Sequence, residues 1–266
     1  MKILSSLLLI ATLALAQAPA RYRIDPFAGT SAIGDGGPAT SAILDEVRSV
    51  LADSRGGFYL GGLFRIRYVN AQGVIRTVLG LGYGATTKDG VVATENTINI
   101  VSDLKLGPNG DLYFVDGFSC IVGRIDADGV VRIVAGLGAA DCGFSGDGGP
   151  ANRAKLNVPT GLAFDAQGRL LIADQYNGRI RRVDVAGNIE TMAGTGNLAT
   201  FAPAGLAATQ TAISYPTSVA VAADGTVYFS EFGYRRIRRI GTSLKKLFTP
   251  SRTKLRSLVT RRLTRS

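Results

Sequence analysis

The stretch Pro159-Thr-Gly-Leu-Ala-Phe-Asp165, Ala-Gln-Gly168, Arg169-Leu-Leu-Ile-Ala-Asp174, Gln-Tyr-Asn-Gly178, Arg179-Ile-Arg-Arg-Val-Asp184, Val-Ala-Gly187, Asn188-Ile-Glu-Thr-Met-Ala-Gly194 breaks into short apolar runs separated by glycine-bearing turns. None of the runs carries a 3.6-residue periodicity, and each has the length of a strand. The stretch predicts four antiparallel strands. The same unit recurs along the chain. Its first-turn glycines fall at Gly56, Gly110, Gly168 and Gly225, spaced 54, 58 and 57, and its strand-ending glycines at Gly29, Gly80, Gly136 and Gly194, spaced 51, 56 and 58. Turn chemistry agrees, because Gly107-Pro-Asn-Gly110, Asn70-Ala-Gln-Gly73, Asp126-Ala-Asp-Gly129 and Ala223-Asp-Gly225 supply the Gly and Asn of tight reversals.

A four-stranded sheet of this size cannot cover both of its faces. Radial stacking of several such sheets does so and leaves only short edges. The expected fold is therefore all-β, a β-propeller of about four antiparallel four-stranded blades. The segment Tyr22-Arg-Ile-Asp-Pro-Phe-Ala-Gly29 matches the end of a unit, and the repeat stops at Ile240 after the third strand of a fourth. Two arrangements follow: the N-terminal strand closes the last blade, or the chain forms an incomplete part of a larger propeller.

The run Leu170-Leu-Ile-Ala-Asp-Gln-Tyr-Asn-Gly-Arg-Ile-Arg-Arg-Val183 resembles the NHL repeat, with Asp174, Asn177, Arg179 and Ile180 on its pattern and Gly178 where that family often has His. Weaker copies are Leu112-Tyr-Phe-Val-Asp116 with Gly123-Arg-Ile125, and Val227-Tyr-Phe-Ser-Glu231 with Arg236-Ile-Arg-Arg-Ile240; the first copy, Phe58-Tyr-Leu-Gly-Gly62, lacks the acid. The resemblance spans residues 22 to 240 and implies a propeller that serves as a binding or scaffold module. It specifies fold more than function.

The hexapeptide GDGGPA occurs at Gly34–Ala39 and again at Gly146–Ala151, with degenerate versions at Lys88–Ala93 and Pro203–Ala208. It has no Lys-Ser or Lys-Thr after it, as a phosphate loop needs, and one carboxylate where a calcium loop needs several. It reads as the joint between blades, with Asp35 and Asp147 tying the turn through its N–H groups. The joints are similar to those of secreted bacterial NHL proteins.

The absence of histidine excludes Ser-His-Asp, Cys-His and imidazole-based metal chemistry. It also counts against the zinc-dependent amidating lyases that carry NHL propellers. Asp116, Asp174 and Glu231 end the second strand of three blades and form an acidic ring; the expected role is to hold each blade's own turn, the alternative being a carboxylate- or metal-dependent enzyme of lactonase or lyase type. No cofactor or metal is expected. Recognition falls to loops joining the second and third strands, where Phe118, Gln175, Tyr176, Asn177, Phe232 and Tyr234 are the candidate contacts for a protein or carbohydrate ligand.

Lys2 followed by the apolar run Ile3–Ala16, with small residues at Ala14, Ala16 and Ala18, reads as a signal peptide over residues 1–16 and predicts a secreted or periplasmic protein without a later membrane span. In that setting the two cysteines, Cys120 and Cys142, lie in loops of one face and are expected to form a disulfide. Much of the net charge of +10 sits in residues 241–266, which hold eight Lys or Arg and no acid, so the body retains 22 basic against 20 acidic residues. The body is nearly neutral and nucleic acid is not an expected partner. The tail lacks the repeat's glycines and reads as disordered or foreign to the propeller.

Overall fold

The computed structural model describes residues 34–203 and 205–241. The expected signal peptide, the N-terminal strand 22–29 and the basic tail beyond Gly241 lie outside the described residues. Among the described residues there are fifteen strands: β1 (Ser49–Ala52), β2 (Phe58–Gly61), β3 (Ile66–Val69), β4 (Ile75–Leu79), β5 (Val101–Leu106), β6 (Leu112–Asp116), β7 (Ile121–Ile125), β8 (Val131–Ala135), β9 (Pro159–Phe164), β10 (Leu170–Asp174), β11 (Arg179–Val183), β12 (Ile189–Ala193), β13 (Pro216–Val221), β14 (Val227–Glu231) and β15 (Arg236–Ile240). They form three four-stranded meanders and one three-stranded meander, each in chain order and antiparallel. These are the blades of a β-propeller.

The two glycine landmarks have separate backbone causes. First-turn glycines Gly56, Gly110, Gly168 and Gly225 sit at φ of +76° to +85°, a region closed to most side chains. Asp and Asn at the turn starts complete the reversals, as where the Asp165 carboxylate accepts the N–H groups of Gln167 (3.0 Å) and Arg169 (2.9 Å). The strand-ending glycines Gly80, Gly136 and Gly194 are fixed by crowding instead. A Cβ at any of them would run into the carbonyl oxygen of Phe64, Cys120 or Gly178, the residue that leads into the third strand. Those three residues, and Arg235 in the fourth blade, all have a left-handed backbone with φ of +49° to +61°.

The joints hold successive blades together through the main chain. Segment 146–151 pairs with the start of β12, Gly148 N–H donating to Ile189 O (2.7 Å) and Ile189 N–H to Gly149 O (2.9 Å). The carbonyl of Ala151 then accepts the N–H of Gly136 at the end of the preceding blade, 3.1 Å away. Segments 34–39 and 89–93 add to β4 and β8 in the same way, and Gly80 N–H reaches Ala93 O at 3.2 Å. The joints at 89–93 and 146–151 thus each extend the outer edge of the blade that follows and accept a bond from the blade before.

Between blades the core is apolar. Ile66, Leu79, Ile98, Leu104 and Phe114 seal the first against the second; Val115, Val122, Leu156, Leu162 and Ile172 the second against the third; Leu171, Ile180, Ile213 and Phe229 the third against the fourth. Within the second blade the Phe114 ring lies so close over Gly123 that no Cβ fits there. Gly123→Ala is therefore expected to overpack this core at a cost of about 1–3 kcal/mol. Urea unfolding checks this: the midpoint falls with the slope unchanged, and an unaltered midpoint would contradict the packing.

Candidate functional site

The loops between second and third strands and the joints between blades share one face of the propeller. Each loop is pinned to the residues that lead into the first strand of the same or next blade: Gly117 N–H donates to Ile100 O (3.2 Å), Tyr176 N–H to Asn157 O (3.0 Å) and Phe232 N–H to Tyr215 O (3.0 Å). The acids ending the second strands complete this pinning and are buried. Asp116 accepts the N–H of Asn99 (3.0 Å) and the Thr87 hydroxyl (2.9 Å), Asp174 the N–H of Asn157 (2.8 Å), and Glu231 the N–H of Ser214 (2.9 Å). None of the three presents a free carboxylate to a substrate.

The counter-charge for Asp174 and Glu231 comes from the third strand. The side chain of Arg181 is entirely buried and reaches Asp174 (3.3 Å), Asp147 of the joint (2.7 Å) and the carbonyls of Ser145 (3.1 Å) and Lys155 (3.5 Å). Arg67 and Arg238 occupy the equivalent positions and donate to the corresponding joint carbonyls, Ile43 (3.4 Å) and Ala212 (3.1 Å). The joint aspartates therefore reach out of their turns rather than tying them: Asp35 takes Arg67 at 2.6 Å, and Asp147 takes Arg181 and the Thr191 hydroxyl (2.7 Å). A buried cation with two nearby carboxylates offers a stronger partner than an exposed N–H. In the second blade Gly123 replaces this arginine, and the Thr87 hydroxyl serves Asp116 instead.

Outward from this layer the face is aromatic. Phe118, Tyr176 and Phe232 are exposed, Phe232 to 72%. Tyr176 meets Tyr215 edge-on with ring centroids 5.5 Å apart; Tyr234 meets Phe201 likewise at 5.5 Å and donates its hydroxyl to Ala199 O (2.8 Å). Arg179 lies 3.6 Å above the centroid of Phe144, and Arg236 4.6 Å above that of Phe201. Phe144, Phe201 and Tyr215 belong to the same patch and were not predicted from the sequence; the only signal for them is an aromatic residue inside a joint. Gln175 is half-buried. Asn177 turns inward, donating to Asp174 (2.8 Å) and Gly143 O (2.6 Å), so it shapes the loop and does not face a partner.

Cys120 and Cys142 are bonded to each other, with Cα atoms 5.6 Å apart and a sequence separation of 22. The bridge ties the β6–β7 loop to the joint that carries Phe144. No group of three or more His, Cys, Asp or Glu able to hold a metal occurs among the described residues, and no helix there is long and apolar enough to cross a membrane. A cleft of about 920 Å³ between the second and third blades, lined by Tyr113, Arg124, Phe164 and Asp184, opens at the hairpin-turn end, away from the aromatic face.

Two outcomes follow from this chemistry. Burial pushes the Asp174 carboxyl up to about 6, against the pull of the Asn157 N–H, Asn177 and Arg181. The folded state then takes up a proton between about pH 4 and 6 that the unfolded chain does not, so this group's contribution is full at low pH and is lost as pH rises through 6. Relative to Asp174→Asn, the wild type is expected to lose stability on the order of 3 kcal/mol from pH 4 to 7; a constant difference in melting temperature across that range would refute it. For the bridge, closing a loop of this length contributes about 3 kcal/mol. Cys142→Ser should lower stability by that order, and mass spectrometry of unreduced, denatured protein should show no alkylatable thiol.

A family profile described as the Teneurin NHL domain matches residues 22–144 and 137–212. Teneurin-4 of Mus musculus is 31% identical over 253 residues, covering 86% of this chain and 9% of that protein; Teneurin-m of Drosophila melanogaster is 25% identical over 240 residues, 82% and 9%. The chain thus spans about a tenth of the length of these relatives. Among solved structures, a protein of unknown function from Bacteroides thetaiotaomicron aligns with TM-score 0.58 at 17% identity, over 73% of this chain and 47% of that one. An auxiliary nutrient binding protein of the same organism gives 0.58 at 14%, over 75% and 49%. Those likenesses concern the fold alone, a β-propeller; the profile and the Teneurin-4 match identify the chain as a member of the Teneurin NHL domain family.

Proposed function

We propose that the chain is a secreted binding or scaffold module of bacterial type whose aromatic loop face docks a protein partner. The observation that carries this reading is the exposed set Phe118, Tyr176, Phe201 and Phe232 set beside Arg179 and Arg236. Aromatic and arginine side chains dominate the energetics of protein contacts. Here they are also held in place beforehand. Tyr176 stands on Tyr215, Phe201 on Tyr234, and the loop backbones are bonded to the strand lead-ins, so docking costs little further ordering. The near-neutral body and the buried acids support contact rather than catalysis as the use of this face. Export through the N-terminal segment would place the module outside the cytoplasm, where the disulfide is stable.

The test is a comparison of wild type with the double variant Tyr176→Ala, Phe232→Ala on arrays of extracellular proteins and of glycans. A protein retained by the wild type and bound at least tenfold more weakly by the variant, with an unchanged melting temperature, is the expected result. Retention of glycans alone would transfer the role to carbohydrate, and equal binding by both forms would remove the loop face from recognition.

A further inference from the structure

The cleft between the second and third blades carries side chains that neither the loop face nor the core uses. Directly opposed residues of neighbouring strands run across the second blade as the row Lys105, Tyr113, Arg124 and Arg132, on β5 to β8. The last three line one wall of the cleft. Like charges directly opposite each other destabilise a sheet, and the first and third blades have other pairs at this place. In the first, Tyr68 stands opposite Arg76, whose guanidinium lies 5.3 Å from the ring centroid; in the third, Arg182 stands opposite Glu190 and forms a salt bridge with it. The second blade instead ties each arginine to a hairpin turn of its own, Arg124 Nη1 to Asp111 and Arg132 Nε to Asp126 (3.0 Å). A guanidinium has five N–H groups, so each keeps donors for a further acceptor. The two side chains stay 31% and 46% exposed.

The balance of charge and polarity selects the kind of ligand. Asp89 and Asp184 also line the cleft, fixed by main-chain N–H groups: Asp89 accepts that of Ile133 (2.8 Å), and Asp184 those of Ala186 and Asn188 (2.9 Å each). Two arginines and two aspartates leave the lining without net charge, and each arginine already has a carboxylate, which disfavours a phosphate or sulfate. Asn109, Asn152 and Gln167 add exposed amides that both donate and accept. Beside these polar groups, Tyr113 and Phe164 meet edge-on with ring centroids 4.9 Å apart, and Val185, 79% exposed, extends the apolar surface. An extended peptide adds to a sheet through an unpaired strand edge. Here the edge of β8 is taken by the joint, Gly90 N–H donating to Val131 O and Val131 N–H to Val91 O, both at 2.9 Å. We propose that this cleft binds a short neutral oligosaccharide. The C–H faces of its sugar rings lie on Tyr113 and Phe164, and its hydroxyl groups accept from Arg124 and Arg132 and donate to the aspartates and amides. Hydroxyls do both at once, as a lining of mixed donors and acceptors requires. The volume of about 920 Å³ is within the range of about 300–1,000 Å³ typical of small-ligand sites. The site lies away from the aromatic face, so this assignment does not rest on the role of that face.

Calorimetric titration of the whole expressed chain tests this, with short neutral oligosaccharides of glucose, mannose, galactose and N-acetylglucosamine as probes and sulfated oligosaccharides as the charged comparison. The double variant Arg132→Ala, Asn152→Ala removes one polar group from each wall. Both residues are exposed, and the ion pair of Arg132 with Asp126 is a surface one, so the variant should keep the wild-type melting temperature. At least one neutral probe is expected to bind the wild type and to bind this variant about tenfold or more weakly. The loop-face variant Tyr176→Ala, Phe232→Ala should bind that probe as the wild type does. The chain has no Trp, so the tyrosine emission is a second readout, and a change on binding is expected from Tyr113 in the wild type. Failure of every neutral probe to bind overturns the proposal, as does binding of sulfated probes alone. Binding that the cleft variant leaves unchanged, or that the loop-face variant abolishes, places the sugar elsewhere and overturns it too.

Discussion

The hydrogen bond from a strand-ending glycine to the carbonyl of a joint alanine, Gly80 to Ala93, Gly136 to Ala151 and Gly194 to Ala208, is the contact on which the arrangement of blades depends. It sets where the chain leaves one sheet. Because segments 89–93 and 146–151 then pair with the outer strand of the following sheet, the same few residues also set where that sheet begins. The left-handed residue ahead of each third strand is part of the constraint. Its carbonyl occupies the space that a side chain on the strand-ending residue would need, so only glycine serves there. The apolar clusters between blades add the larger stabilisation, but they depend on this geometry to face each other.

The functional layer is built on the same scaffold. Buried acids accept the N–H groups that lead into the first strands, buried arginines donate to acids and to joint carbonyls, and the aromatic side chains lie outside both. A face assembled in this order has a stiff base and an apolar top. Contact surfaces of that type lose little freedom on association, which is the physical advantage of presenting aromatic anchors on a propeller instead of on free loops.

Much of the fold was legible because it rests on backbone demands that leave a residue type at a fixed interval. Gly56, Gly110, Gly168 and Gly225 mark reversals that need positive φ, and period-two apolar runs mark half-buried strands. The joints were legible as repeats, yet their pairing with the blade that follows was not, since that bond links residues such as Gly148 and Ile189 with no side-chain signature. The role of Asp147 was misread for a related reason. Its partner Arg181 is 34 residues away, and nothing local to the turn announces a buried cation. Phe144 and Phe201 lie in irregular joints outside any period, so their place in the aromatic face appears only in three dimensions. Asn177 was legible as a motif residue but not as a buried one, because the motif records its structural bond to Asp174 as readily as a contact with a ligand.

Main-chain pairing at the joints bears on how such a chain diversifies. A bond between backbone groups makes few demands on the side chains that flank it, which is why GDGGPA at Gly146–Ala151 and Lys88-Asp89-Gly90-Val-Val-Ala93 perform the same connection with half their residues different. A unit of this kind can be duplicated, lost or recombined in one genetic event and still engage its new neighbour. Drift then acts on each copy separately, and loops such as Gln175–Gly178 and Phe232–Arg235 become free to acquire distinct chemistry while the architecture beneath them is inherited unchanged.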